Sequence, residues 1–410
     1  MAILGLFRGE FCADDAFVDR LSEAIGYSLV RDDDVVTRAG ADWGMPETKL
    51  RKAFSSRPFL FNPFTHEKER SIAFLRVSLA QAVTDKGCIV DGFTMHLLPF
   101  TVDHVLRVCL VAERAYRAKV GMSRLEMPRD EIMARVLRDD ADRSAWVERI
   151  HGIADPWTPS LYDMVLPMDK MSSDAALRAI EENLQKEVLQ PSEESLRAMD
   201  DFRLAARVAA ALARAGHSLE LTASSGQVTV NVRKSVLLMG RLEEELREIL
   251  STVEGVETVT FRTDPEERAA EPYRRYDPAT PSRILLVDDE RDFAQSLSER
   301  LTIRDMGSIV AYDGESALEV VKADEPEVMV LDLKMPGIDG IEVLRRIKKS
   351  RPDIEVIILT GRGTEADREV CMQLGAFAYL EKPVDIELLS TTLRLANEKV
   401  QGRGREGRKA

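Results

Sequence analysis

Cysteine is scarce in this sequence. Its four residues, Cys12, Cys88, Cys109 and Cys371, lie far apart with no CxxC pair. Neither a thiolate zinc site nor a disulfide framework is indicated, and a reducing, cytoplasmic location is expected. His66, His96, His104 and His151 show no ligand spacing. Long apolar runs are missing as well: none reaches the roughly eighteen residues that a membrane span needs. The opening "MAILGLF" is cut by Arg8 and Glu10 before it could form a signal-peptide core, so no membrane partner is expected. Positive charge is short too, with 57 Lys and Arg against 71 Asp and Glu and a formal charge of -14. No basic excess is available to neutralise a phosphate backbone, and no helix-turn-helix or basic recognition helix is visible. Nucleic-acid binding is therefore not expected. The tail "GRGREGRKA", Gly402–Ala410, is a local exception and reads as a frayed, solubilising end.

What is present is an ordinary globular composition, 44% hydrophobic and 31% charged, in 410 residues. That length suits about two to four domains. The clearest boundary is "DPEERAAEPYRRYDPATPS", Asp264–Ser282, where prolines and charges replace any apolar period and a linker is expected. A weaker break falls at "QPSEES", Gln190–Ser195, after a helical stretch carrying Leu177, Ile180 and Leu184. The expected organisation is a first domain over 1–190, a small second one over 195–263, a linker over 264–281, a third domain over 282–400 and a basic tail over 401–410.

The third block alternates strand and helix signals. "RILLV", "SIVAY", "VMVLD", "EVIIL" and "AFAYLE" read as five short strands, separated by patterns such as "GESALEVVK" and "GIEVLRRIKK" with helical spacing. This predicts an α/β fold with a doubly wound, five-stranded parallel sheet covered on both faces. Ligands of such sheets sit beyond the carboxyl ends of the strands. Those ends carry Asp288 and Asp289, then Asp332, then Thr360, then Lys382 before Pro383. Three carboxylates brought together repel one another unless a divalent cation offsets them, and oxygen-only ligands suit Mg²⁺. Lys382 adds a compact positive charge and Thr360 a hydroxyl donor, which together describe a pocket for a tetrahedral dianion beside a metal.

The pieces "LLVDDE", "LDLKMPGIDG", "LTGRG" and "YLEKPVD" occur in an order that resembles the receiver domain of bacterial response regulators. The resemblance implies Asp332 as phosphoacceptor, Asp289 as a direct Mg²⁺ ligand, Asp288 as a water-mediated one, and the Lys334 backbone carbonyl as a further ligand. It also implies that Lys382 pairs with the phosphoryl group, that Thr360 hydrogen-bonds it, and that Tyr379 is an aromatic switch. Gly361 is expected to keep the corner beside Thr360 open.

The first block reads as strand, loop, then a helix with Phe17, Leu21 and Ile25 on one face. With "RLSEAIGYSLVRDDDVV", "CIVDGF", "RVCLVAERAYRAKV" and "PSLYDMVLPMDKM", it resembles the cytidylate-kinase-like family, a P-loop-kinase-like α/β fold. The loop departs from that pattern. "RGEFCADD" has Phe11, Cys12, Ala13 and Asp14 where glycines would stand, no GK[ST] follows, and "VDGF" lacks a nucleotide-holding arginine. Arg143 still matches a phosphate-handling arginine; otherwise it reads as a surface helix residue. Asp32, Asp33 and Asp34 read as an acidic turn with a helix cap. In the middle block an Ala-rich helix, a hairpin across Ser225 and Gly226, and "VEGVETVTF" give an α-β-β-α-β order that resembles a BON domain, a small α+β unit.

The expected function is a response regulator that takes a phosphoryl group from a histidine kinase or phosphotransfer protein onto Asp332. Output is expected through protein contacts of the preceding domains, with an unidentified protein target and a second copy of the chain as candidate partners. The alternative is a nucleoside monophosphate kinase gated by receiver phosphorylation.

Overall fold

The computed structural model describes residues 1–84, 86–232, 234–235, 239–262, 269–272, 275–361 and 363–406. They fall into two units, Met1–Ser56 with Lys68–Tyr273, and Arg57–Glu67 with Arg274–Ala410.

The first unit begins with β1 (Ile3–Arg8), α1 (Asp15–Ile25), β2 (Ser28–Arg31), α2 (Asp32–Trp43) and α3 (Glu47–Lys52). After α4 (Asn62–Thr65), which belongs to the second unit, come α5 (Glu67–Ala82), β3 (Cys88–Asp91), β4 (Val105–Val111), α6 (Arg114–Leu125), α7 (Arg129–His151), β5 (Met164–Pro167) and α8 (Ser173–Leu184). The five strands pair in the order β2-β3-β1-β4-β5, all parallel. Every residue of β3 is buried, as expected of a central strand covered by helices on both faces. Asp14 caps α1 by accepting from the Phe17 amide, and Phe17, Val18 and Leu21 face the core.

The chain continues through α9 (Glu193–Arg214), β6 (Glu220–Ser224), β7 (Gln227–Asn231), β8 (Lys234–Ser235), α10 (Met239–Ser251), β9 (Thr258–Arg262) and β10 (Ala269–Pro272). β6 and β7 form the hairpin, with Ser225 at φ 46° and Gly226 at φ 79° in the turn, and β9 joins β7 in parallel. Helix α9 is buried on two sides. Met199, Phe202, Ala206 and Ala210 enter the core of the first sheet, while Leu204, Val208 and Leu212 enter that of the hairpin sheet. Within the stretch read as linker, β10 pairs with β8 by backbone hydrogen bonds; residues 264–268 and 273–274 of that stretch lie outside the described residues.

The second unit holds β11 (Ile284–Val287), α11 (Arg291–Thr302), β12 (Ser308–Ala311), α12 (Gly314–Ala323), β13 (Val328–Leu331), α13 (Gly340–Ser350), β14 (Glu355–Thr360), α14 (Glu365–Gln373), β15 (Ala378–Glu381) and α15 (Ile386–Glu406). Its sheet is parallel throughout, in the order β12-β11-β13-β14-β15. The doubly wound α/β fold expected from the alternating pattern is the one observed. One face packs Leu285, Met329 and Ile358 against α12 and α13, and the other packs Leu286, Val330 and Leu359 against α11 and α15. The tail is more ordered than its composition suggests. α15 runs on to Glu406 because Lys399 and Arg403, each 2.9 Å from Glu355 Oε1, neutralise a carboxylate that is fully buried. Residues 407–410 lie outside the described residues.

Candidate functional site

Because the second sheet is parallel, the carboxyl ends of its strands share one edge, and the sequence places its chemistry there. Asp288 and Asp289 follow β11, Asp332 follows β13, Thr360 ends β14 and Lys382 follows β15. One carboxylate oxygen from each of Asp288, Asp289 and Asp332 lies within 4.8 Å of the others. Asp288 and Asp332 are buried and Asp289 is half-buried. Lys382 Nζ stands 2.7 Å from Asp288 Oδ2, 3.0 Å from Asp332 Oδ2 and 3.5 Å from Glu290 Oε1. The backbone turns back onto the central carboxylate: Leu333 N–H donates to Asp332 Oδ1 at 2.6 Å and Lys334 N–H at 3.3 Å.

Burial pushes the Asp288 carboxyl above its usual range, although its bond to Lys382 pulls the other way. For Lys382 burial opposes the charge, but Asp288 and Asp332 outweigh it and raise its pKa. Three carboxylates against one ammonium leave a formal excess of two negative charges. The donor set fits a hard divalent cation. Mg²⁺ takes oxygen ligands at about 2.0–2.1 Å, so opposite ligands lie roughly 4 Å apart. One oxygen from each of the three carboxylates, within 4.8 Å of the others, is compatible with that spacing.

Thr360 is 1% exposed. Tyr379, on β15, has its ring half-buried and its hydroxyl enclosed without a hydrogen-bond partner among the described residues. The open corner is provided by a different glycine from the one expected. A Cβ on Gly361 would make only ordinary contact, 3.7 Å from Lys382 Cβ, whereas one on Gly363 would fall 1.7 Å from Tyr379 Oη. Gly363 is thus the residue that lets Tyr379 seat beside Thr360.

In the first unit, the phosphate-loop position is filled by the protein's own groups. Phe11 adopts φ 63° and buries its ring with Ala118, Ile132 and Val136. Asp14 occupies the α1 N-terminus, where a phosphate would dock. The Glu10 amide donates to Asp139 Oδ2 at 2.9 Å, so a carboxylate holds the loop. Arg143 is buried rather than a surface residue of α7. It gives Asp139 a two-point bond (2.8 and 3.0 Å) and stacks over Phe7 and Phe93 at 4.8 and 4.7 Å. Arg117 pairs with Asp140 at 2.6 Å, and Arg8 with Asp15 at 2.6 Å and Asp91 at 2.9 Å. Sequence reading missed Asp139 and Asp140. For Asp139 the signal was an aspartate four residues before an arginine on a helix; Asp140, whose partners Arg114 and Arg117 lie on α6, had none.

The three consecutive aspartates separate. Asp34 accepts from the Arg31 amide and caps α2, Asp33 pairs with Arg51, and Asp32 accepts from the Phe93 and Thr94 amides at 2.8 and 2.9 Å. Gly92, at φ 120°, permits that approach, since a Cβ there would lie 2.0 Å from Asp32 Oδ2. Two histidines without ligand spacing also meet, with His96 Nδ1 3.2 Å from His151 Nε2.

Residues 284–394 match the response regulator receiver domain family, and residues 12–170 match the cytidylate kinase-like family. Neither match reaches the middle block, whose likeness to a BON domain rests on element order alone. The response regulator MprA of Mycolicibacterium vanbaalenii is 37% identical over 114 residues, covering 28% of this chain and 49% of that protein. MprA of Mycobacterium ulcerans is 38% identical over 112 residues, covering 27% and 48%. The chain spans about half the length of these curated relatives. A solved response regulator receiver domain protein from Clostridium thermocellum is 34% identical, covering 29% of this chain and 95% of that one, with a TM-score of 0.28. A CheY-like receiver domain protein from Methanospirillum hungatei is 25% identical, covering 30% and 97%, with a TM-score of 0.29. Among the described residues, no helix is long and apolar enough to cross a membrane. Residues 284–394 thus form a response regulator receiver domain, preceded by a cytidylate kinase-like domain.

Proposed function

We propose that this chain is a cytoplasmic two-component response regulator that accepts a phosphoryl group on Asp332 from a histidine kinase or phosphotransfer protein. The observation that carries the reading is Lys382 Nζ, held at once by Asp288 and Asp332 on the rim where Asp289 also lies. An Asp332 carboxylate oxygen attacks phosphorus, the bond from phosphorus to the donor nitrogen breaks, and the electron pair stays with the imidazole. Mg²⁺ held by Asp288, Asp289, Asp332 and the Lys334 backbone carbonyl would supply charge neutralisation to the phosphoryl oxygens. Lys382 pairs with a second phosphoryl oxygen, exchanging its Asp332 contact for the new dianion. Thr360 turns its hydroxyl toward the phosphoryl group, and Tyr379, whose hydroxyl already lies beside Gly363, readjusts with it. The added charge thereby becomes a change of surface, and output passes by altered protein contacts of the preceding domains.

The kinase-gated alternative draws no support from the first unit, where Arg8, Arg117 and Arg143 are already paired with aspartates. Incubation with acetyl phosphate and Mg²⁺ tests the main reading, followed by acid-labile phosphate analysis. Wild type should incorporate about one equivalent by the single-acceptor chemistry above. Asp332→Asn should incorporate none, and equal labelling of the two would sink the assignment.

A further inference from the structure

Within the first unit, a cleft of about 780 Å³ opens between α5, the end of α7, α9 and β6. That size suits a small-molecule site, for which roughly 300–1,000 Å³ is usual. Its cause is legible in α9: Ala205, Ala209 and Ala213 repeat at i, i+4 and i+8, and these small side chains leave space along one face. Ile72, Leu219 and Leu221 complete the apolar wall.

One charged group in this cleft stands out. Arg76 projects from α5 into the wall, half-buried, and among the described residues no hydrogen bond or ion pair engages it. Burial pulls its pKa down with no carboxylate offsetting the effect. Buried arginines of this unit are engaged: Arg117 and Arg143 each have an aspartate partner, and Arg107 donates to the Pro99 carbonyl at 2.7 Å. The cleft as a whole carries three cations, Lys68, Arg76 and Arg149, against two carboxylates, Glu69 and Glu220, in a chain whose formal charge is -14. A desolvated guanidinium facing an apolar cleft is costly unless an anion completes it.

We infer that this cleft binds a small organic anion with an apolar body, its head group on Arg76 and its body along the alanine face of α9. The head group is a carboxylate or a phosphate monoester, both matching the planar donor fork of arginine. The cleft belongs to the first unit and Asp332 to the second, and the inference does not rest on the proposed function.

The test is a titration of the full-length protein with 1-anilinonaphthalene-8-sulfonate, which has an apolar body and one anionic group, followed by displacement. Decanoate, decyl phosphate and the neutral decanol are the competitors. Saturable fluorescence is expected, reversed by decanoate or decyl phosphate at concentrations where decanol has little effect; the stronger of the two identifies the head group. Arg76→Met keeps bulk and removes charge. It should weaken probe binding about tenfold or more, the order of one charge-assisted hydrogen bond, without lowering Tm. Ala209→Leu should abolish binding by filling the cleft. Absence of saturable binding, displacement by decanol as effective as by decanoate, or unchanged affinity in Arg76→Met would each overturn the inference, the last even if Ala209→Leu fails to fold.

Discussion

Replacing Arg283 with methionine tests how the second unit is held together. The Arg283 side chain is 7% exposed and bridges Glu67 Oε2 at 2.7 Å and Asp324 Oδ1 at 2.6 Å, whose side chains are 4% and 2% exposed. Its guanidinium lies 4.9 Å over the ring of Phe61, a fully buried residue, and donates to the Glu325 carbonyl. Burial opposes the charge, but Glu67 and then Asp324 outweigh it and raise its pKa. Removing one partner of a buried ion pair costs about 3–5 kcal/mol, because the charge left behind stays desolvated. Asp324 keeps the Phe61 amide at 3.3 Å, which places the loss near the lower end, about 3 kcal/mol.

The assay must avoid tryptophan fluorescence, since Trp43, Trp146 and Trp157 all lie in the first unit. Amide hydrogen exchange of β11 to β15, measured across urea concentrations, reports the second unit directly. Adding Glu67→Gln and Asp324→Asn to Arg283→Met should recover at least half of the loss, as replacing a whole buried ionic group is far milder than breaking it. A single variant within about 1 kcal/mol of wild type at pH 8 would refute the account of a desolvated triad.

Other outcomes follow from the same reasoning. Burial raises the Asp32 carboxyl to about 6, against hydrogen bonds from Thr94 and Phe93. Its contribution is therefore fully present below the unfolded value of 3.8 and lost as pH rises through about 6. Asp32→Asn should flatten that slope by about 1–2 kcal/mol, discounted for partial exposure, and an unchanged slope in urea titrations at pH 4 to 7 would contradict it. Gly363→Val should block the seat of Tyr379 and uncouple phosphorylation from the near-ultraviolet circular dichroism of that ring, whereas Gly361→Ala should do neither. Asp139→Ala should destabilise the first unit by about 3 kcal/mol. Inorganic phosphate should restore part of that by taking the carboxylate's place on Arg143 and the Glu10 amide; no rise in Tm with phosphate would count against the self-filled loop.

The receiver fold was legible because each level of the sequence agreed. Apolar runs such as "VMVL" and "EVIIL" end on Asp332 and Thr360, and a parallel sheet brings every such end to one edge whatever the helices between them contain. Mistaken or missed readings involve residues whose partners are distant in sequence. Arg143 read as either a phosphate-handling arginine or a surface helix residue, because nothing in its helix announces Phe7 and Phe93. Gly361 and Gly363 are indistinguishable as letters, and only the path of Tyr379 separates them.

By itself the sequence determined the alternation of strand and helix, the order of the acidic and basic strand ends, and the loss of glycines from the first loop. These are local properties, set by periodicity and residue type along a few turns of chain. Tertiary structure decided which carboxylate meets which cation: Asp139 with Arg143 and the Glu10 amide, Asp32 with the amides after Gly92, Glu355 with Lys399 and Arg403. It also decided that Arg76 would face a cleft and, among the described residues, pair with no carboxylate. Charge pairing acts over a few ångströms of space, and separation along the chain does not fix that distance until the strands have taken their order.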